Sequence, residues 1–395
     1  MSRINRRKFL LTGIAGAGMA AVSPSLFASI TPAENEDIIY RTLGRTGLKV
    51  PVISFGVMRS DNPGLCKAAF EKGIKLFDTA NNYQGGNNET MLGNLFKDYQ
   101  RDSFFLATKV RPGTDRGGNI TDQTSPEKFL EDFGVSLSRL QMDYVDILYV
   151  HDISNPEVLE YKPIINAVNK LKKEGKVRFM GFSTHRNEAT VIDAAADLDI
   201  WDVILTQYNY RMASIDEMNT AIKKAAGAGI GIVAMKTLAG GGFLDRERTL
   251  PMNTTAAIKW VLSNPDVHTT IPGMTNFDQL ALNEKILTDI TLTDNEKSDL
   301  MAAKNTPGLF CSGCRKCVAT CPHNLPIPDL MRAYMYAYGY MSPSMAKTLL
   351  EELGINSDPC SSCETCSVSC LNNFPIKEKI ADVARLVNVP GEFLA

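Results

Sequence analysis

Three short runs, FFLATKV (Phe104–Val110), SPEKFLEDFGVSLSRL (Ser125–Leu140) and VDILYVH (Val145–His151), decide how this chain folds. The first and third are short and mainly apolar, which suits strands covered on both faces of a sheet. The middle run places apolar residues at helical spacing and opens with Ser125 before Pro126 and Glu127, the chemistry of a helix start. Strand, helix and strand in that order form the unit of a parallel sheet, because parallel neighbours need a crossover between them.

The unit recurs from about Val52 to Leu287 with a period of roughly thirty residues. Further strands are expected at VISFGVM, IKLFDTA, VRFMGFST, VILTQYN, GIVAMKT and VHTTIPGM. A second helix is expected at KPIINAVNKLKKEG, ended by Gly175. Eight parallel strands, each followed by a helix, close most economically into a (β/α)8 barrel, a TIM barrel, so the fold class is α/β.

The chain has 395 residues, 44% hydrophobic and 22% charged, with a formal net charge of -2. That length suits one large core and a smaller module. No basic stripe is present to neutralise phosphates, which excludes nucleic acid as a partner.

Sites in a (β/α)8 barrel lie at the carboxyl ends of the strands. There the chain places Asp78 and then Tyr83 after the second strand, Lys109 at the end of the third, and His151 at the end of the fourth. A carboxylate beside a lysine holds the ammonium, and an ammonium beside a phenol favours the phenolate, so Tyr83 is expected to titrate below a free tyrosine. A phenol so placed can exchange a proton with a carbonyl oxygen, which His151 would orient. Taken singly, each of the four has a structural reading; four at adjacent strand ends point to a site.

These segments carry a resemblance. GIKLFDTANNYQGGNNETMLGNLF, FFLATKV and DYVDILYVHD resemble the Asp, Tyr, Lys and His segments of the aldo-keto reductase family. YRTLGRTGLKVPVISFG is similar to that family's N-terminal β-hairpin and first strand, and TTIPGMTNFDQLALNE to its last cofactor-binding segment. The resemblance implies a barrel over residues 38–300, a nicotinamide cofactor across its mouth, and Tyr83 as proton donor to a small carbonyl substrate, or acceptor from an alcohol. It places Ser183, Thr184 (where the family usually has Asn) and Gln207 at the nicotinamide amide, with Tyr208 a weaker candidate. Lys236 and Gly240, Gly241 and Gly242 fall where the family wraps the pyrophosphate, and Met274, Thr275, Gln279 and Asn283 fall on the adenine side. No cation stands there to receive a 2'-phosphate, so NADPH is not expected to be strongly preferred over NADH.

Beyond the barrel, CSGCRKCVATCP (Cys311–Pro322) is echoed by CSSCETCSVSC (Cys360–Cys370). The spacing C-x2-C-x2-C-x3-C is that of bacterial two-cluster ferredoxins, in which the fourth cysteine of each run serves the other cluster. One [4Fe-4S] cluster is therefore assigned Cys311, Cys314, Cys317 and Cys370, and the second Cys360, Cys363, Cys366 and Cys321. Zinc sites use pairs of C-x2-C, and disulfides have only the even number in their favour. The spacer PDLMRAYMYAYGYMSPSMAKTLLEELG has helical periodicity apart from a tyrosine alternation at Tyr334, Tyr336, Tyr338 and Tyr340, read as packing. Residues 305–395 are thus expected to form a small, mainly α-helical ferredoxin-type domain, while Cys66 reads as core.

The start of the chain, SRINRRKFLLTGIAGAGMAAVSPSLFASITPA, has the basic lead and mild apolar run of a targeting segment. Arg6 and Arg7 resemble a twin-arginine export signal, so residues 1–33 are expected to address the protein to the export machinery and the periplasm. An uncleaved segment would instead anchor it to the membrane. Hydride moves as two electrons and clusters pass electrons singly, so joining the halves needs a converter; a flavin is the usual one, and no motif for it is present. The expected activity is an oxidoreductase whose clusters exchange electrons with a redox partner protein. The alternative is an electron carrier whose barrel is only a scaffold.

Overall fold

The structure, a computed structural model, describes residue 32 and residues 34–115, 117–306, 308–371 and 373–394. The expected export segment, residues 1–33, lies outside the described residues apart from Pro32. Among the described residues no helix is long and apolar enough to cross a membrane.

A hairpin of β1 (Tyr40–Thr42) and β2 (Lys49–Pro51) precedes eight parallel strands. These are β3 (Phe55–Gly56), β4 (Leu76–Asp78), β5 (Phe105–Val110), β6 (Val145–Val150), β7 (Val177–Thr184), β8 (Val203–Gln207), β9 (Gly231–Met235) and β10 (Thr269–Thr270). They pair in sequence order, β3 through β10. Ile53 bridges Thr270 in parallel, and Ser54 N–H donates to the Thr270 carbonyl at 2.8 Å, so the first and last strands meet and close the barrel.

All eight expected runs supply strands, although the first and last are cut to two residues each. Alternate side chains explain why the central runs are apolar throughout. Phe105, Ala107, Ile147, Tyr149, Val203 and Leu205 point inward and meet Leu43, Leu48 and Val50 of the hairpin region, which stop the amino end of the barrel. Leu106, Leu148, Phe182 and Ile204 join the outer core against the helices.

Seven helices accompany the strands, from α1 (Pro63–Glu71), α2 (Asn87–Phe96) and α3 (Pro126–Leu140) to α4 (Lys162–Lys173), α5 (Glu188–Ala196), α6 (Ile215–Gly227) and α7 (Thr254–Leu262). α3 begins as its sequence indicates: Ser125 Oγ accepts from Lys128 N–H at 3.2 Å. α4 stops before Gly175, whose φ is +73°. Then come α8 (Phe277–Ile286) and α9 (Asp294–Lys304), the latter opened by a capping box of Thr293 and Glu296.

The C-terminal module is helical, as expected: α10 (Ile327–Tyr334), a single π turn at Met335–Gly339, α11 (Pro343–Glu352) and α12 (Ile376–Ala384). Its core joins Leu330, Met331, Ala346, Leu350, Ile380 and Val383 to Cys317, Cys321 and Cys360. The tyrosine alternation is not strand-like. On the helix the rings pair four apart, Tyr334 with Tyr338 at 4.6 Å and Tyr336 with Tyr340 at 5.6 Å between centroids. Cys66 is buried, and burial pushes its thiol up to about 12.

Candidate active site and iron-sulfur centres

β4 ends in Asp78 and β5 carries Lys109 one residue from its end, so both enter the barrel mouth from its wall. Lys109 Nζ donates to Asp78 Oδ1 at 2.5 Å, to the Thr79 carbonyl at 2.7 Å and to the Tyr83 hydroxyl at 3.3 Å. Asp78 and Lys109 are almost fully buried. Tyr83 reaches them from a turn that other groups hold. Arg139 Nη1 donates to the Asn81 carbonyl at 2.7 Å, and Asn88 Nδ2 donates to the carbonyls of Val57 and Ser60. His151 directly follows β6, its ring 6.2 Å from that of Tyr83 at 83°. The four residues expected from the sequence are therefore brought together.

The expected titration of Tyr83 needs correction. Burial raises its phenol and outweighs the pull of the Lys109 ammonium, so Tyr83 sits above its ordinary value. Tyr83 is thus a protonated phenol at neutral pH. Burial opposes charge on Lys109, but Asp78 and Tyr83 prevail and lift it above its ordinary value, keeping it cationic. His151 is held well below its ordinary value, by burial first and then by Arg111 and Lys109, and is neutral.

The expected cofactor residues divide into two groups. On the adenine side Thr275 and Gln279 are exposed, Thr275 N–H donating to Gln279 Oε1 at 2.7 Å, and Asn283 is mostly buried. Met274 has no exposure, and its side chain packs in the barrel core. At the other end the module intervenes. Gln207 Nε2 donates to the Ser312 carbonyl at 2.9 Å and to Glu188 Oε1. Ser183 Oγ accepts from Asp152 N–H at 3.0 Å, and Thr184 Oγ1 donates to the Arg186 carbonyl at 3.2 Å.

The Gly-rich loop also meets the module. A Cβ on Gly240 would lie 3.3 Å from Phe310 N, and one on Gly241 only 2.7 Å from the Gly339 carbonyl oxygen. Gly242 has nothing nearer than Thr254 Cγ2 at 3.8 Å. The close backbone approach these glycines permit is therefore an approach to the module. Tyr208 points elsewhere: its ring stacks on Trp260 and its hydroxyl donates to Asn219 Oδ1 at 2.6 Å. Lys236, with φ at +54°, joins His185, Gln207, Cys311, Arg332 and Met335 around a pocket of about 290 Å³.

Several residues at this junction escaped the sequence reading. Asp152 pairs with Arg186 at 3.3 Å, Arg186 with Asp329 at 3.6 Å, and Asp329 with Arg332 at 3.5 Å, so a buried ion chain runs from barrel to α10. Arg59 donates to the Tyr340 carbonyl from the barrel side. Tyr336 and Tyr340 come close enough to Tyr83 for a phenolate on any one to raise the others. The available signal was the i, i+4 series Arg332, Tyr336, Tyr340 on one helical face.

The cysteines gather as their spacing indicates. One hollow of about 360 Å³ is lined by Cys311, Cys314, Cys317 and Cys370; another, of about 380 Å³, by Cys321, Cys360, Cys363 and Cys366. None of these eight described cysteines is in a disulfide. Burial pushes Cys311 up to about 12, with Cys370, Cys317 and Cys314 adding to it. Cys360 rises to about 11 through burial, Asp358 and then Cys363, Cys366 and Cys321. Each set of four thus lies within one another's fields, as shared ligands would. Among the described residues no three His, Cys, Asp or Glu side chains form a single-ion site. A cube spreads its four thiolates over four irons, and the two hollows fit that group.

Comparisons with known proteins follow the same division. Residues 57–255 match the model of the aldo/keto reductase family, and residues 310–375 that of the 4Fe-4S dicluster domain. L-galactose dehydrogenase of Arabidopsis thaliana is 28% identical over 293 residues, 63% of this chain and 88% of its own. Among solved structures, the aldo-keto reductase AKR11C1 of Bacillus halodurans in its holo form superposes with a TM-score of 0.54 at 26% identity, covering 67% of this chain and 96% of that one. The thermostable aldo-keto reductase Tm1743 gives 0.51 at 25%, covering 67% and 100%. The family's cofactor is a nicotinamide nucleotide.

Proposed function

The chain belongs to the aldo/keto reductase family and carries a 4Fe-4S dicluster domain, and from that premise we propose that it interconverts a small carbonyl compound and its alcohol: a nicotinamide nucleotide, when bound, would give or take the hydride at the substrate carbon, and Tyr83 exchanges the proton at the substrate oxygen. The observation that carries this reading is Lys109 Nζ, bonded at once to Asp78, to the Thr79 carbonyl and to the Tyr83 hydroxyl. Its charge stabilises the phenolate left when Tyr83 gives its proton to a developing alkoxide. Asp78 holds the ammonium in place. Neutral His151 offers a ring N–H to the same oxygen and so aligns the carbonyl over Tyr83.

Cys311, Cys314, Cys317 and Cys370 hold one [4Fe-4S] cluster, and Cys321, Cys360, Cys363 and Cys366 the other. Such clusters supply single electrons, which fits exchange with a redox partner protein. The Arg6–Arg7 pair supports export by the twin-arginine route, with the clusters already inserted. That route reconciles reduced thiolates with an oxidising destination.

The test starts from a panel of aldehydes and ketones, assayed anaerobically with NADPH or with reduced viologen as electron source. On the best substrate, Tyr83→Phe is expected to lower kcat/KM by roughly 10²–10⁴, the contribution of a positioned acid, with iron content unchanged. Undiminished turnover in that variant rejects Tyr83 as donor. Turnover absent from the whole panel in the parent protein favours the barrel as scaffold for an electron carrier.

A further inference from the structure

AKR11C1 in its holo form is covered over 96% of its length by only 67% of this chain. The module is therefore an addition to the barrel, and it lies on two of the places where the cofactor is expected.

The first is Gln207. A side-chain amide has two N–H donors, and both of those on Gln207 are taken, one by the Ser312 carbonyl and one by Glu188. Gly313 follows directly, its Cβ position 3.2 Å from the His185 carbonyl and 3.5 Å from Gln207 Nε2. The second is the Gly240–Gly241 loop, whose backbone is pressed against Phe310 and Gly339. The contact is reciprocal, since a Cβ on Gly339 would fall on the Gly240 carbonyl. Two separate stretches of the module thus sit on the amide and pyrophosphate subsites. The buried ion chain from Asp152 through Arg186 and Asp329 to Arg332 fixes them there.

We propose that docking of the iron-sulfur module and binding of a nicotinamide nucleotide exclude one another, the Cys311–Gly313 arm and Gly339 filling the nicotinamide and pyrophosphate end of the cleft. The exclusion goes beyond the assignment of Tyr83 and holds whichever substrate Tyr83 serves. It also puts Cys311, a cluster ligand, on the wall of the pocket that His185, Gln207 and Lys236 share.

The cluster-loaded full chain is titrated with NADH and with NADPH, binding being followed by ligand fluorescence and calorimetry. The expected result is no saturable binding up to about 1 mM, the weak end of specific recognition. The double variant Arg186→Gln, Asp329→Asn removes one buried charge of each sign from the latch, and is expected to gain affinity by roughly tenfold or more, a coupling of ordinary size. Its iron content and circular dichroism report whether both domains remain folded. Micromolar binding by the parent chain overturns the proposal. So does a double variant that keeps its iron and its fold and still binds neither nucleotide, because the module would then not be what shuts the cleft.

Discussion

The barrel and the iron-sulfur module hold themselves together by different means. In the barrel, strands buried on both faces sit between an interior layer and a helical shell. There Phe77 tilts against Phe96 and Phe96 stacks on Phe104, with ring centroids 4.8 and 4.4 Å apart. The module has helices of 8, 10 and 9 residues, too short to be stable alone, and its core includes Cys317, Cys321 and Cys360. Its thiols are pushed up by burial and by one another. A cluster that takes them as thiolates relieves that repulsion, so iron binding and module folding are one process. Stability that comes from packing survives loss of a ligand, and stability that comes from ligation does not.

The largest expected effect breaks the molecule along this line. Oxidative removal of iron, or Cys314→Ser for the first cluster alone, is expected to abolish amide-exchange protection across α10, α11 and α12. Protection in β5 and β6 should stay within the barrel's own range. A module that remains protected without iron would show that its apolar core suffices, and the contrast would fail.

A smaller effect tests the seam between the two regions. Gly241 has φ at +122° and faces the Gly339 carbonyl, whereas a Cβ on Gly242 would meet only Thr254 Cγ2, at an ordinary 3.8 Å. Gly241→Ala is expected to destabilise the loaded protein by about 1–3 kcal/mol, the cost of a forbidden backbone conformation. Gly242→Ala should stay within about 0.5 kcal/mol. Equal urea midpoints for the two variants would mean that the loop does not need its contact with the module.

What could be seen in the sequence follows the same contrast. Runs such as FFLATKV and VDILYVH declare themselves because both faces of a barrel strand are buried. Once the barrel is recognised, its geometry says where to look for Asp78, Tyr83, Lys109 and His151. The crossed grouping of Cys321 and Cys370, each beside the other run's first three cysteines, is written in the x3 step of each run. The seam is not written anywhere local. That Ser312 lies on Gln207 and Gly339 on Gly240 depends on how two separately patterned domains meet. The upward shift of Tyr83 depends on how deeply that meeting buries it. Met274 and Tyr208 lie in segments whose motif is right, but the side chain of each belongs to the core or the outer helices.

The smallest effect is a proton balance at the seam. Burial holds His151 and His185 well below their ordinary value of about 6.5, so below that pH the unfolded chain binds two protons that the folded chain refuses. Glu188 acts in the opposite sense: burial raises it to about 7, so between about 4.5 and 7 it keeps a proton that the unfolded chain releases. His268 is lowered by burial and acts with the two imidazoles, while Lys236, lowered to about 7, is charged in both states well below that pH. Asp78, raised by burial, acts with Glu188. Between pH 5 and 6 the imidazoles therefore work to lower stability on acidification and the two carboxyls to keep it. His185→Gln removes one refused proton and should make urea midpoints fall less, or rise more, from pH 6 to pH 5 than in the parent. Glu188→Gln removes an opposing group and should move the same dependence in the other direction. Variants whose urea midpoints track the parent's from pH 6 to pH 5 would show that the seam is open to water, since burial is the first cause that holds both imidazoles and Glu188 away from their ordinary values.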